Sequence, residues 1–306
     1  MNVIGAPSEL KTSGKRVCLA IGFFDGVHLG HQQIIRQTIA DARQHDGIPL
    51  VLTFDRHPNA IVAPEKTPAL IYSLPQKLRT VESLGIESIL LIRFDKEFSR
   101  QSGEEFIRAL ARDFQKIHSV CVGADFAFGH KRSGNVALLK KLGGELHFQV
   151  HGLSAVSLDG QAVSSTRIRE AIRAGNLDAA SQMLARPYAI CGNVVMGDKL
   201  GRNLGFPTAN LDVNGLVLPP NGVYAAVTRH EGRLYRAALN IGIRPTVAEG
   251  RQLRVEAHLL DFDADLYGRE LEVEIGEKLR DEKKFGSPQE LKEQITRDMA
   301  AVRAQV

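Results

Sequence analysis

VCLAIGFFDGVHLGHQQII, residues 17–35, is the stretch whose reading decides the fold. Val17–Ile21 is a run of five apolar residues and reads as a buried strand. Gly22 and the Asp25–Gly26 pair mark a turn, and from Leu29 or Gly30 onward Ile34, Ile35 and Ile39 fall at helical spacing. Further along, the apolar runs Leu50–Phe54, Ser88–Ile92, Ser119–Val122 and Leu146–Val150 alternate with stretches of helical period. Strand and helix in turn predict an α/β unit, a parallel sheet wrapped by helices.

Two helices are expected to close this unit. Ile168 and Ile172 stand four apart ahead of Gly175, and Leu177 and Leu184 precede the stop at Pro187. The texture changes at Arg186 and Pro187, which predicts domains 1–186 and 187–306. Beyond lie short strand-like runs, Ala189–Val195, Gly222–Thr228, Tyr235–Ile241, Val255–Leu260 and Leu271–Ile275, separated by Gly, Pro, Asn and Asp. Such spacing predicts an all-β unit, a small antiparallel barrel or sandwich. Ser287, Pro288 and Glu290 then start a last helix, with Leu291, Ile295, Met299 and Val302 on one face.

Composition narrows the functional classes. The 306 residues, 43% of them hydrophobic, are enough for two cores. The net charge of +4 is spread without a long block of one sign, and no basic patch is interleaved with aromatics. That balance reads first as a solvated surface of mixed sign and also suits small anionic substrates such as ATP, while nucleic acid is not expected. No apolar stretch is long enough to span a bilayer, and MNVIGAPSEL lacks the pattern of an export signal. Cys18, Cys121 and Cys191 are odd in number and embedded in apolar runs, which reads as reduced thiols in a cytoplasmic protein. The expected assembly is a monomer or a transient homo-oligomer.

Two segments carry the chemistry. In the first, a strand runs into a glycine turn and a helix start, where free N–H groups and the positive dipole end favour a phosphate. His28 and His31 fall at that junction, with Gly30 allowing close backbone approach. The two imidazoles suit an α-phosphate on which charge builds, but the spacing alone also fits a helix-start pair without a role, or metal ligands lacking a third partner. Ser164, Ser165 and Thr166 cap a helix carrying Arg167 and Arg169 in its first turn, a set suited to β- and γ-phosphates or to a plain N-cap.

The second segment is GDKLGRNLGFPTANL, residues 197–211. Gly197, Gly201 and Gly205 recur every four residues around Asp198, Lys199 and Arg202, a pattern suited to a flap over a polyphosphate or to a glycine-rich hairpin. The Walker A order is absent, so a P-loop kinase is not expected. Thr208 and Asn210 alternate onto one side of an extended segment and offer hard oxygen ligands to Mg²⁺.

GFFDGVHLGH with SSTRIR resembles the nucleotidyltransferase superfamily, in its FMN adenylyltransferase branch; TFDRHP at 53–58 and VGADFAFGHKRSG at 122–134 fit the same branch. The resemblance implies a Rossmann-like nucleotidyltransferase fold and transfer of AMP from ATP to FMN. By motif position it places Gly22, Phe24, Asp25, Gly26, His28, Gly30, His31, Ser165, Thr166 and Arg169 on ATP, with His28, His31 and Arg169 catalytic. His57, Asn59, Asp125 and Phe126 would lie near FMN.

GDKxGRxLGFPTANL, PPNGVYA at 219–225, NIGIRPT at 240–246, VEAHLLDFDADLYG at 255–268 and LRDEKKF at 279–285 are similar to the riboflavin kinase domain. That resemblance implies phosphorylation of riboflavin, with Glu256 as general base and Gly197, Lys199, Gly201, Thr208 and Asn210 on ATP. Thr208 and Asn210 would hold Mg²⁺, and Arg280 and Phe285 would cover the flavin. Ile243 departs from the family, where a small or polar residue is commoner. Together the halves resemble the bifunctional prokaryotic riboflavin kinases/FMN adenylyltransferases, also called FAD synthetases, whose substrates and products are ATP, riboflavin, FMN and FAD. The competing readings are adenylylation of another acceptor and a flavin-binding regulator with silent sites. The intact His28, His31, Arg169, Thr208, Asn210 and Glu256 argue against the regulator.

Overall fold

A computed structural model describes residues 1–197, 201, 204–245 and 251–305. The chain divides into two compact units, Met1–Pro68 with Leu74–Ser165, and Ala69–Ser73 with Thr166–Val306.

The first unit holds a six-stranded parallel sheet in the order Asn2–Ile4, Ser88–Ile92, Ile48–Phe54, Val17–Ile21, Ile117–Gly123, Gln149–Leu153. From Val17–Ile21 the chain winds outward through Ile48–Phe54 and Ser88–Ile92, then returns to the other side of Val17–Ile21 with Ile117–Gly123. In such sheets ligands bind beyond the carboxyl ends of the strands at the reversal, which here is the loop after Ile21.

Strand alternation builds both faces. Leu19, Ile21, Leu50, Leu52, Val120 and Val122 point to a core completed by Phe106, Ile107, Leu110 and Leu139. Ala20, Val51 and Cys121 point the other way, against Ile34, Ile35 and Ile39 of helix Leu29–Gln44. The small side chains on that face let the helix sit close to the strand it follows.

One expected strand is displaced. Leu139, Leu142 and Leu146 stand three and four apart and carry helix Val136–Leu146 through the start of the run at Leu146–Val150. The strand is Gln149–Leu153. His147 ends the helix in the left-handed region, at φ 60°, and Phe148 turns into the core. Strand Asn2–Ile4 was not anticipated, because Ile4 is its one buried residue.

The barrel expectation holds in the second unit. Ala189–Val195, Ala209–Asp212, Arg251–Leu259, Arg233–Pro245, Gly222–His230 and Glu270–Arg280 close on one another in that order. Leu239, Ile241, Val255, Ala257, Leu271, Val273 and Ile275 are buried at alternate positions. The terminal helix Pro288–Ala304 has Ser287 as N-cap, whose hydroxyl accepts from Glu290 N at 3.2 Å. Met299 and Val302 pack on Val223, Ala225 and Ala238 of the barrel. Asp298, on the same side, accepts a two-pronged bond from Arg280, Nε to Oδ1 at 3.0 Å and Nη2 to Oδ2 at 2.8 Å.

Candidate active sites

The loop after Val17–Ile21 is bent by its own burial. Phe24 (φ 55°) and Val27 (φ 41°) both lie in the left-handed region, where a non-glycine residue costs roughly 1–3 kcal/mol. Both side chains are fully buried, and each such burial contributes about 1.5–3 kcal/mol. The burial offsets the strain, so the bent loop is held ready. Gly22 is required because a Cβ there would lie 2.9 Å from the Phe24 ring.

This bend delivers His28 to the N-cap of helix Leu29–Gln44 with no side-chain capping bond, and His31 to its first turn. The two imidazoles stack, with centroids 3.6 Å apart and planes 22° from parallel, and Phe24 meets His31 edge-on at 5.3 Å. A Cβ on residue 30 would press the His28 ring at 3.3 Å, which accounts for Gly30. The helix therefore opens on a stacked imidazole pair at the positive end of its dipole, an arrangement fitted to an anion.

Neighbouring strands bring up other expected residues. His57 packs edge-on against Phe23 at 4.9 Å, and Asn59 N donates to His57 Nδ1 at 3.1 Å, so the acceptor nitrogen of that ring is fixed. The Asn59 side chain donates to Lys66 O at 3.0 Å. Beyond Ile117–Gly123, Asp125 is exposed, and Phe126 stacks on Phe128 at 5.1 Å. Ser165 Oγ donates to Asp25 O at 3.1 Å, bringing the second motif to the first loop. Asp25 is itself buried, and the Phe24 side chain belongs to the core, which leaves its backbone as the part open to a nucleotide. Thr166 and Arg169 belong to the second unit, where Arg169 is buried and its Nε donates to Ala69 O at 2.6 Å.

Sequence reading missed Lys77 entirely. It lies on helix Leu74–Ser83, buried with Val81 one turn later, and its Nζ reaches the carboxyl ends of two strands. The signal was its position on the apolar stripe of that helix, where a lysine would otherwise be taken for a solvated one.

The second site is assembled across strands of the barrel. Asn210 pairs with Val195 on one side and with Glu256 on the other, and Glu256 also pairs with Asn240. Gly197 lies against the Asn210 amide, with which a Cβ would overlap, and a Cβ on Gly201 would overlap Phe206 O, with the Thr208 side chain 3.4 Å away. Gly197 thus lets the backbone approach Asn210, one of the two expected oxygen ligands. A cleft of about 330 Å³ opens there, lined by Gly197, Thr208, Asn210, Phe262, Asp263 and Tyr267 among others. His258 Nδ1 donates to Pro207 O at 2.7 Å and anchors the segment leading into Thr208.

Glu256 is half-buried, and Arg254 Nη1 lies 3.6 Å from its Oε1. Arg280 spends its guanidinium on Asp298 and on Asp281 O at 3.0 Å, and its Cζ lies 5.8 Å from the Phe285 ring centroid. Asp198, Lys199, Arg202 and the side chain of Ile243 fall outside the described residues. Cys18, Cys121 and Cys191 are buried free thiols, and burial pushes Cys121 up to about 12. Among the described residues, no helix is long and apolar enough to cross a membrane.

Comparison with known proteins places two different family models along the chain. Residues 10–167 match the family model of FAD synthetase, and residues 184–306 that of riboflavin kinase. The chain is 38% identical over 305 residues to a bifunctional riboflavin kinase/FMN adenylyltransferase of Escherichia coli (strain K12), covering 99% of this chain and 97% of that one. A protein of the same description from Haemophilus influenzae is 38% identical, covering 94% and 93%. A crystal structure described as a macrolide-efflux protein from Streptococcus pneumoniae superposes with a TM-score of 0.82 at 28% identity, covering 99% of both chains.

Proposed function

The chain belongs to the family of bifunctional riboflavin kinases/FMN adenylyltransferases, and on that premise we propose that it phosphorylates riboflavin to FMN and then adenylylates FMN to FAD. The observation that carries this reading is the pair of phosphate-handling loops, one at the reversal of a parallel sheet and one on a closed barrel. We place the functional boundary at Arg186/Pro187, with 1–186 as adenylyltransferase and 187–306 as kinase. The riboflavin kinase match beginning at 184 supports a boundary near that point, while the compact units divide earlier, at Ser165/Thr166.

In the kinase, the Glu256 carboxylate takes the proton of the ribityl 5′-hydroxyl. That oxygen forms its bond to the γ-phosphorus of ATP, the bond to the bridging oxygen breaks, and ADP leaves. Gly197, Lys199 and Gly201 would cover the phosphates. Thr208 and Asn210 would hold Mg²⁺ together with phosphate oxygens, and the donor chemistry fits, since both offer hard neutral oxygens beside a close-approaching glycine backbone. When bound, the ion offsets the charge of the triphosphate. Phe285, with Arg280 against its ring, would cover the flavin.

In the adenylyltransferase, an FMN phosphate oxygen attacks the α-phosphorus of ATP and pyrophosphate leaves. His28 and His31 donate to the α-phosphate as charge develops, and Gly22, Phe24, Asp25, Gly26 and Gly30 shape the loop that places them. Ser165, Thr166 and Arg169 are proposed as ligands of the β- and γ-phosphates. His57, Asn59, Asp125 and Phe126 are proposed to hold FMN. A cytoplasmic location, small-molecule partners without nucleic acid or membrane, and a monomeric or transiently associating chain complete the reading; the three reduced thiols support the first.

The test is a time course with riboflavin, ATP and Mg²⁺, followed by chromatography of the flavins. FMN appearing first and FAD after it is the expected result. Untouched riboflavin, or FMN that is never converted even with pyrophosphate removed, would refute one half of the assignment.

A further inference from the structure

We propose that Lys77 is a positioning residue for adenylyl transfer, holding the nucleotide loop and the TFDRHPN segment in fixed relation. This rests on the adenylyltransferase reading above. Lys77 is 4% exposed. Its Nζ donates to Phe23 O at 3.1 Å, to Thr53 Oγ1 at 3.1 Å and to Phe54 O at 3.0 Å. An ammonium has three protons, and these three acceptors use all of them, so Lys77 has none left for a phosphate. It therefore acts through what it holds.

What it holds is the junction of both substrate segments. Phe23 opens the FFDGVHLGH loop, while Thr53 and Phe54 lead directly into Asp55, Arg56, His57 and Asn59. Thr53 Oγ1 donates in turn to Phe23 O at 3.0 Å, the Lys77 ammonium lies 4.3 Å from the Phe23 ring centroid, and that ring carries His57 edge-on. One buried cation thus reaches from helix Leu74–Ser83 to the proposed ATP loop and the proposed FMN segment together. A buried charge adds little net stability over an apolar side chain of like volume, so packing alone does not account for a lysine beside Val81.

Burial lowers Lys77 to about 8, opposed by the carboxylates of Asp25 and Asp55. Asp25 comes from the loop after Ile21, and Asp55, paired with Arg56 at 2.8 Å, from the end of Ile48–Phe54. Below pH 8 all three contacts stand. Above it the amine keeps two donors and one contact is lost, which gives adenylyl transfer an alkaline limb.

The experiment compares wild type, Lys77→Met and Thr53→Val in the full chain, measuring FAD formation from supplied FMN and FMN formation from riboflavin separately. Lys77→Met is expected to raise KM for FMN or lower kcat of adenylyl transfer by about tenfold or more, because misplaced substrates lose rate steeply. It should also lose the alkaline limb and leave riboflavin phosphorylation within about twofold of wild type. A purely structural lysine would lower the folded fraction without moving KM or the limb. Adenylyl transfer within about twofold of wild type, with its limb intact, overturns the proposal. If Lys77→Met fails to fold, Thr53→Val decides: it removes one acceptor, and a KM for FMN and a kcat of adenylyl transfer that are both unchanged overturn the proposal. Failure of wild type to form FAD at all would instead overturn the adenylyltransferase reading.

Discussion

The two sites are built on opposite plans. At the parallel sheet, one contiguous stretch brings the two proposed imidazoles together: Phe24 and Val27 bury themselves in a left-handed bend, and the helix that follows begins on His28 with His31 stacked beside it. At the barrel, no single segment suffices. Gly197 and Asn210 come from one segment and Glu256 from a distant strand, and they meet because Asn210 pairs with Val195 and Glu256 across two strand registers. A contiguous site depends on local backbone geometry, whereas a cross-strand site depends on the register of the whole barrel.

Substitutions sharpen that contrast, starting from the largest expected effect. Glu256→Gln should cut FMN formation by about 10²–10⁴, the range of general-base contributions, while leaving adenylylation of supplied FMN intact. His31→Ala should do the reverse, lowering adenylylation by about 10²–10³ through loss of a donor to the developing charge. Asp298→Ala removes the partner of Arg280 at the seam between barrel and terminal helix. A loss of roughly 3 kcal/mol is expected in urea unfolding of the kinase unit, because a partly buried guanidinium is left unpaired. Gly197→Ala puts a methyl group into the Asn210 amide and should raise the kinase KM for ATP by roughly tenfold, with adenylylation unchanged. Ser165→Ala removes the hydroxyl's hydrogen bond to Asp25 O, worth about 1 kcal/mol, and should slow adenylylation several-fold. If Gly197→Ala damaged adenylylation, or Ser165→Ala the kinase, the separation of the two sites would be broken.

Much of this was legible in the chain because the signals were local. Val17–Ile21, the turn at Asp25–Gly26 and the start of helix Leu29–Gln44 lie within one short stretch, and the Ser287 cap with its Pro288 marks the last helix. Where the reading fell short, the deciding contact was distant or the residue type misled. Leu146 belonged to a helical stripe although it heads an apolar run. Lys77 and Asp298 sit on buried helix faces, where charged residues are ordinarily taken for solvated ones, and their partners lie on other elements. The pairing of Glu256 with Asn210 depends on register, which alternation within one strand does not reveal. The two-residue hairpin strands Ala127–Phe128 and Gly134–Asn135 are too short to show any period.

The central claim is that each reaction has its own site. The most direct test assays both half-reactions, riboflavin to FMN and FMN to FAD, on the same preparations of Glu256→Gln and His31→Ala. Loss of only the first in Glu256→Gln and of only the second in His31→Ala, with FAD restored from riboflavin when the two proteins are mixed, is the predicted result. Loss of both half-reactions in either well-folded variant would contradict it.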